Sequence, residues 1–309
     1  MRKRVLMTGA SGFIGSHVVD LLLDNDFDIT IIKRSFTNTE RIERHLSRLV
    51  CFDVDDVTLE SVFEGPSFDV LIHLATLYNK GDFGVDLEEM RKVNIDFPKK
   101  LLKLAIKNNV KKFVNTSTYF QYSPHNLPLS EGNDLLPFNE YAKTKIAFAQ
   151  LLKASAADIK VMDLIIFSPY GPRDNDKLVT YVIKKAIGRD LIDLSEGLQK
   201  IDLTYVKDIA CAYLKAIKYL DKGANGYTDV CIASGFPVSV RELVSLVEEV
   251  GNTELKKRWG DRAVKDYPVV FGDTEKAKTM LGWSAVTSLK VGLKETIDFY
   301  ERQYAKEVS

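Results

Sequence analysis

Thr8-Gly9-Ala10-Ser11-Gly12-Phe13-Ile14-Gly15 directly follows the first short apolar run of the chain and opens a segment with helical spacing. Glycines at three-residue intervals between a strand and a helix constrain the backbone more than any other feature here. They permit a tight turn, a close approach of backbone to a ligand, and close packing of helix on strand. A helix that starts at such a turn presents unpaired N–H groups and a partial positive charge, which suits phosphate. Glycine-rich turns are common, so the weight comes from the strands and helices downstream of this one. Gly9, Ser11, Gly12, Phe13, Ile14 and Gly15 are read as a cradle for a dinucleotide pyrophosphate, the alternative being a purely structural turn.

Short β-rich apolar runs then alternate with helical patterns. Strands are expected over 5–7, 29–32, 49–52, 70–74, 113–114 and 161–167, with helices over 18–23, 87–107 and 142–153. Repeated strand–helix–strand order predicts an α/β fold: a Rossmann doubly wound parallel sheet with helices on both faces. The later half is less regular and richer in glycine and proline punctuation, which predicts a smaller mixed α/β domain closing over the strand ends. A length of 309 residues suits two such units, at about 150 residues each. The expected division is 1–166 with 207–232 for the dinucleotide and 167–206 with 233–309 for a substrate.

Charge narrows the partners. The 43 Lys and Arg cancel the 43 Asp and Glu, so no overall field draws in nucleic acid or an anionic membrane, and any anion site is local. Cys51, Cys211 and Cys231 lack metal or disulfide spacing, so no metal is expected and a reducing cytoplasm fits best. Met1-Arg2-Lys3-Arg4 resembles the basic end of a signal peptide, but the apolar run after it is too short for one. No stretch approaches the roughly 18 apolar residues of a membrane span.

The second strand ends in Lys33-Arg34-Ser35. An acid there would accept the ribose 2′-hydroxyl of NAD, whereas a basic pair with a hydroxyl binds a 2′-phosphate. NADP(H) is favoured and NAD(H) stays open, as does the reading of two solvated basic residues. Asp53, with Val54 beside it, is placed to reach the adenine; a strand-end cap is the alternative. Tyr-x-x-x-Lys occurs at Tyr141/Lys145 and at Tyr181/Lys185. One helical turn puts both side chains on one face, where an ammonium lowers a phenol's pKa. Only Tyr141/Lys145 follows a hydroxyl-rich strand end, Asn115-Thr116-Ser117-Thr118, so Tyr181/Lys185 is read as a solvated face.

On these residues the chain resembles the extended short-chain dehydrogenase/reductases, the family of nucleotide-sugar epimerases, dehydratases and reductases. His73-Leu74-Ala75-Thr76, Asn94, Thr118, Tyr141-Ala142-Lys143-Thr144-Lys145, Tyr170-Gly171-Pro172, Asp202-Leu203-Thr204-Tyr205-Val206-Lys207-Asp208 and Leu281-Gly282-Trp283 carry the likeness in the family's order. The resemblance implies Tyr141 as general acid/base, Thr118 as the hydroxyl on the reacting sugar oxygen, and Lys145 on the nicotinamide ribose. A strand-end hydroxyl bonded to backbone is the alternative for Thr118. It also implies cofactor contacts from Leu74, Ala75, Thr76, Asn94, Thr116 and Phe167, and substrate contacts from Tyr78, Thr118, Tyr119, Ser168, Lys177, Gln199 and Arg262.

Departures narrow the chemistry. The family's 4,6-dehydratases follow this threonine with Asp-Glu, and here Tyr119-Phe120 cannot do that acid/base work. The family's arginine before Asp-Phe is Ile201, and the asparagine before Tyr-Gly-Pro is replaced by Ser168-Pro169, which puts standard UDP-sugar contacts in doubt. The stretch 170–177 with Ser195-Glu196-Gly197-Leu198-Gln199 is most similar to bacterial CDP-paratose and CDP-abequose synthases, which reduce a 4-keto-dideoxy sugar with NADPH. The expected function is thus NADPH-dependent reduction at C4 of a nucleotide diphosphate 4-keto-6-deoxy sugar, a CDP-sugar favoured. An NAD-dependent nucleotide-sugar 4-epimerase is the alternative, and a non-catalytic NADP sensor the third reading. The resemblance also implies a homodimer through the helices over 87–107 and 142–153.

Overall fold

The computed structural model describes residues 2–78, 84, 86–223, 226–260 and 267–308. The first six strands are β1 (Arg4–Thr8), β2 (Asp28–Lys33), β3 (Val50–Asp53), β4 (Val70–His73), β5 (Lys112–Thr118) and β6 (Lys160–Ile166). Helix α1 (Phe13–Asp24) joins β1 to β2, and α4 (Glu140–Ala154) lies between β5 and β6. The helix expected over 87–107 is divided into α2 (Leu87–Arg91), a π-helical turn at Lys92–Asp96, and α3 (Phe97–Lys107) with Pro98 in its first turn. There follow β7 (Pro169–Tyr170), α5 (Leu178–Gly188), β8 (Ile192–Leu194), β9 (Lys200–Asp202), β10 (Thr204–Tyr205), α6 (Val206–Asp221) and β11 (Tyr227–Ile232). The chain ends with β12 (Pro237–Ser239), α7 (Val240–Gly251), β13 (Lys257–Trp259), β14 (Val269–Val270) and α8 (Leu289–Val308).

Strand β11 returns to pair with β6, giving a parallel sheet in the order β3-β2-β1-β4-β5-β6-β11. The chain reverses its direction of growth between β1 and β4, and the crevice at the carboxyl ends of those strands is the natural place for a ligand. Strand β5 runs four residues past the expected 113–114, because Asn115, Thr116, Ser117 and Thr118 find partners in β6 despite being polar. Both faces of the sheet are covered, as parallel strands require. Val5 and Met7 pack with α1 and α6, while Leu6, Leu71, Phe113 and Val161 pack with α3 and α4.

A second core forms where Val182, Ile183, Leu243, Val247, Leu293 and Ile297 bring α5, α7 and α8 together. The short sheets β12-β9-β14 and β13-β8 flank it. Residues 277–283 fall within the second unit of the expected division, yet Ala277, Leu281 and Trp283 join the core of the large sheet. Trp283 is buried and its indole N–H donates to the Asp208 carbonyl at 2.8 Å. Hydrophobic burial of that size, about 3–5 kcal/mol for a fully buried tryptophan, decides the assignment against sequence proximity.

Side chains also tie the loop after β7 to α1. Arg173 donates to Asp20 Oδ2 at 2.6 Å and to His17 Nδ1 at 2.8 Å, while His17 Nε2 lies 2.9 Å from the Pro172 carbonyl oxygen. A ring nitrogen that accepts from a guanidinium carries no proton, so His17 is the neutral Nε2–H tautomer. Burial and the Arg173 charge accordingly pull its pKa down to about 4. Arg41 completes the clamp by donating to the Arg173 carbonyl at 2.9 Å and to Asn175 Oδ1 at 2.6 Å. Among the described residues, no helix is long and apolar enough to cross a membrane.

Candidate active site

A cleft of about 860 Å³ opens at the carboxyl ends of β1, β4 and β5. Gly9, Ser11, Gly12, Phe13, Ile14 and Gly15 line one side of it. Gly9 holds φ at +70°, and a Cβ there would stand 2.6 Å from Ala75 N, so Leu74-Ala75 presses directly on the turn. Gly12 caps α1 with no side-chain hydrogen bond, and no acid occupies the first turn. The first-turn N–H groups are thus left for a ligand, and the helix dipole favours an anion there. Lys177 from the far wall reaches over the Phe13 ring at 5.7 Å.

At the other end, Lys33, Arg34 and Val54 line the cleft. Asp53 and Ser35 do not line it. Lys33 and Asp53 are register partners on β2 and β3, and their side chains join at 2.7 Å, which raises the lysine's pKa. Ser35 donates its hydroxyl to Asp55 Oδ2 at 2.6 Å, and Arg34 stacks over Phe36 at 4.4 Å. Of the expected basic pair, Arg34 therefore keeps its charge toward the cleft, whereas Lys33 is already neutralised. Thr37 and Thr39 also line this end. Neither was expected there, and the hydroxyls just past the basic pair are the sequence signal for them.

The catalytic candidates converge on the middle of the cleft. Asn139 caps α4 by accepting from Ala142 N at 2.9 Å, so the helix starts with Tyr141 in its first turn and Lys145 one turn on. Thr118, Tyr141 and Lys145 all line the cleft and all are buried. Lys145 Nζ donates to the Thr116 carbonyl at 2.9 Å and lies 5.7 Å from the Tyr141 ring centroid. Thr116 Oγ1 in turn donates to the His73 carbonyl at 2.8 Å and meets Tyr213 OH at 2.7 Å. Thr118 Oγ1 accepts from Phe120 N at 3.3 Å, so the backbone-bonded alternative is realised in part. The bond uses a lone pair and leaves the hydroxyl proton to be donated into the cleft.

Electrostatics here run partly against expectation. Burial and the neighbouring Tyr78 push the Tyr141 phenol well above the ordinary tyrosine range, and a hydrogen bond with Thr76 opposes them. The expected lowering by Lys145 does not prevail, because burial dominates. Burial pulls Lys145 down to about 8, against the attraction of Asp163. Tyr78 packs edge-on against Tyr141, with centroids 4.8 Å apart.

Tyr78, Tyr119, Ser168, Lys177 and Gln199 line the remaining wall. Ser168 Oγ donates to Tyr119 OH at 3.3 Å, and the Tyr119 ring stacks on Phe167 at 5.0 Å. Phe167 itself is wholly buried in the core beneath and does not line the cleft. Leu74, Ala75, Thr76 and Thr116 do. Asn94 does not: its amide group bonds Leu77 N, Leu77 O, Thr76 Oγ1 and Thr144 Oγ1, splicing the loop after β4 onto α4. Tyr181 and Lys185 lie away from the cleft, and Arg262 falls outside the described residues. Asp174, Asn175, Leu203 and Val240 also line it, beyond the expected set. The charged stretch Arg173-Asp174-Asn175 is a sequence signal for the first two, and the run Asp202-Leu203-Thr204 is one for the third; Val240 carries none.

Three likenesses bear on this cleft. The chain is 28% identical over 308 residues to the CDP-abequose synthase of Salmonella muenchen, covering 97% of this chain and 99% of that protein. It is 28% identical over 331 residues to the UDP-glucose 4-epimerase of Pisum sativum, covering 95% and 93%. Its fold matches the UDP-glucuronic acid 4-epimerase of Bacillus cereus, solved with UDP-glucuronic acid and NAD, with a TM-score of 0.87, 25% identity and coverage of 97% and 100%. Residues 5–231 match the model of the NAD dependent epimerase/dehydratase family. With that match spanning the sheet, the glycine turn and the Tyr141/Lys145 helix, the chain is a member of the NAD-dependent epimerase/dehydratase family, the extended short-chain dehydrogenase/reductases.

Proposed function

We propose that this protein is an NADPH-dependent reductase acting at C4 of a nucleotide-linked 4-keto-6-deoxy or dideoxy sugar. One observation carries the reading: Thr118, Tyr141 and Lys145 meet in a cleft opposite the glycine turn, with Tyr119 and Phe120 where dehydration would need acid/base groups. The cradle fits a dinucleotide, since a Cβ at Gly9 would collide with Ala75 N at 2.6 Å and α1 keeps its N-terminal amides uncapped. Gly9 and residues 11–15 would hold the pyrophosphate, Arg34 and Val54 the adenosine end, and Leu74, Ala75 and Thr76 the nicotinamide side. The nicotinamide supplies the hydride when bound.

The chain's own residues handle the proton. Tyr141, kept neutral by burial, donates its phenolic proton to the oxygen on C4 as negative charge develops there. Thr118 donates its hydroxyl to the same oxygen, with its lone pair already engaged by Phe120 N. The Lys145 ammonium stabilises the tyrosinate left behind, at short range and in a site of low dielectric. We assign the nucleotide sugar to Lys177, Gln199, Ser168 and Tyr119 on the second lobe, and the dinucleotide to residues 1–166 with 207–232. The likeness to CDP-abequose synthase supports a CDP-sugar. We further propose a homodimer through α2–α3 and α4, which light scattering of the purified protein tests.

The second reading is a nucleotide-sugar 4-epimerase. It is favoured by the Lys33–Asp53 pair, which removes one cation from a 2′-phosphate site, and by the several 4-epimerases among the relatives. The decisive experiment offers NADPH with CDP-, GDP-, UDP- and dTDP-4-keto-6-deoxy sugars and assays the purified protein for bound cofactor. NADPH consumption with one of them is the expected result. Stoichiometric retained NAD with no consumption of NADPH overturns the reductase in favour of the epimerase.

A further inference from the structure

Asp163 lies in β6 beneath α4, on the face of the sheet that Phe113, Val161, Phe148 and Leu152 fill with hydrocarbon. It is 1% exposed. Strand alternation puts Asn115 and Ser117 of β5 on that same face, and both reach the carboxyl, Asn115 Nδ2 at 2.9 Å and Ser117 Oγ at 3.0 Å. Tyr227 of β11 donates its hydroxyl to Asp163 Oδ2 at 2.7 Å. Burial raises the Asp163 pKa above the ordinary carboxylate value, and the hydrogen bonds from Tyr227, Asn115 and Ser117 oppose that rise by stabilising the carboxylate. The proton chemistry at Tyr141 makes no direct use of this buried carboxyl.

Lys145 is on the helix above, within the attraction of this carboxyl. Lys145 donates to the carbonyl of Thr116, the residue between Asn115 and Ser117, so the ammonium is seated on the strand whose side chains cage Asp163. Asn115 Oδ1 is buried without a partner among the described residues, which adds a second source of negative potential below α4. Other groups facing the pair leave the assignment intact. His73 on β4 is held neutral by burial, its pKa pulled down to about 3, and burial also keeps Tyr141, Tyr213 and Tyr227 protonated. Asp229 on β11 is matched by Lys276 at 3.2 Å and Lys153 at 3.9 Å.

We infer that Asp163 is a positioning residue for Lys145: a fixed negative charge under α4 that keeps the ammonium charged and seated on the Thr116 carbonyl. Without it, burial alone would neutralise Lys145 near physiological pH. The inference rests on the reading of Lys145 as partner of Tyr141 only for its effect on turnover.

Full-length protein carrying ¹³Cε-labelled lysine tests the charge directly, with Lys145→Arg identifying the resonance. Asp163→Asn should move the Lys145 titration midpoint down by about one pH unit or more, and the alkaline limb of kcat/KM should move with it. Asp163→Glu should restore part of the shift. Tyr227→Phe keeps the carboxylate but removes a donor, and should move the midpoint the same way by less. A midpoint unchanged within about 0.2 units in whichever of Asp163→Asn and Tyr227→Phe folds overturns the inference. A midpoint that shifts while the kcat/KM limb stays fixed upholds the charge role and refutes instead the pairing of Lys145 with Tyr141 in catalysis.

Discussion

Gly12 and Gly15 sit three residues apart in one turn, and replacing each by alanine should separate two functions of that turn. Gly15 lies within α1, where alanine is intrinsically preferred by about 1 kcal/mol. Its Cβ, however, would stand 2.9 Å from Gly9 C and 3.1 Å from Ala10 Cα, and closer still to the Gly9 carbonyl oxygen. Ordinary contact begins at 3.4 Å, so the turn must open by on the order of 1 Å, and overpacking of that kind costs about 1–3 kcal/mol. A Cβ on Gly12 meets only Gly9 O within 4 Å, at 3.1 Å, and its backbone at φ −70° and ψ 173° suits any residue. Gly12→Ala should leave the melting temperature of the ligand-free protein within about 1 °C of wild type. The methyl group would nevertheless intrude where the pyrophosphate rests, weakening binding about 10-fold or more. In a thermal-shift titration at a dinucleotide concentration about 100-fold above the wild-type Kd, ligand stabilisation should fall from about 2.7 to about 1.4 kcal/mol. Gly15→Ala should lower the ligand-free melting temperature by several degrees and weaken binding as well. Equal ligand-free stability of the two variants would refute the reasoning, because the collision at Gly15 is its only source.

Other consequences can be checked in the same preparation. Tyr141→Phe should cut kcat by about 10²-fold or more with little change in substrate KM; near-native turnover in folded protein rules out its acid role. Arg34→Ala should weaken NADPH binding about 10-fold while leaving NADH unchanged, and an equal loss for both dinucleotides would remove Arg34 from 2′-phosphate recognition. The folded-state pKa of His17 is about 4 against an ordinary 6.5. Between those values the unfolded chain binds the extra proton, so stability falls as pH drops from 6.5 to 4, by up to about 3 kcal/mol from this group. Urea midpoints at about pH 7 and about pH 4.5 should show that loss, and His17→Gln should flatten it. Lys145 has the same sign in the alkaline range: folded at about 8 and unfolded at 10.5, it makes stability fall as pH drops across that window and rise with pH even as activity declines, a divergence visible in paired melting and rate profiles.

What is legible in the sequence is what the backbone enforces locally. The turn from Thr8 to Gly15 and the one-turn spacing of Tyr141 and Lys145 depend on neighbouring residues, and both appear where expected. Properties set by long-range register are not legible. The neutralising pair of Lys33 with Asp53 arises because β2 and β3 align those positions, which residue spacing does not encode. Phe167 and Asn94 occupy the expected places but turn inward, one to fill the core under Tyr119 and the other to bond the loop at Leu77. The upward push on Tyr141 is a consequence of burial, and burial emerges only when Tyr78 and the strand ends close around it. The strand Tyr227–Ile232 gives a weak sequence signal because its first three residues are only half-buried and include Asp229.

The return of Ala277, Leu281 and Trp283 to the core of the large sheet has a consequence for biosynthesis. The chain leaves the ribosome from its N-terminus, so the sheet's last strand and the tryptophan that seals its α6 side emerge only after β1–β10 and α1–α6. Until then the apolar faces of α1 and α6 lack part of their cover, and the nascent protein must be shielded by chaperones or by its own transient collapse. Vectorial synthesis therefore cannot complete the large-sheet lobe first and add the α5–α7–α8 lobe later. The two lobes mature together, and a chain stopped after β11 should partition into the insoluble fraction.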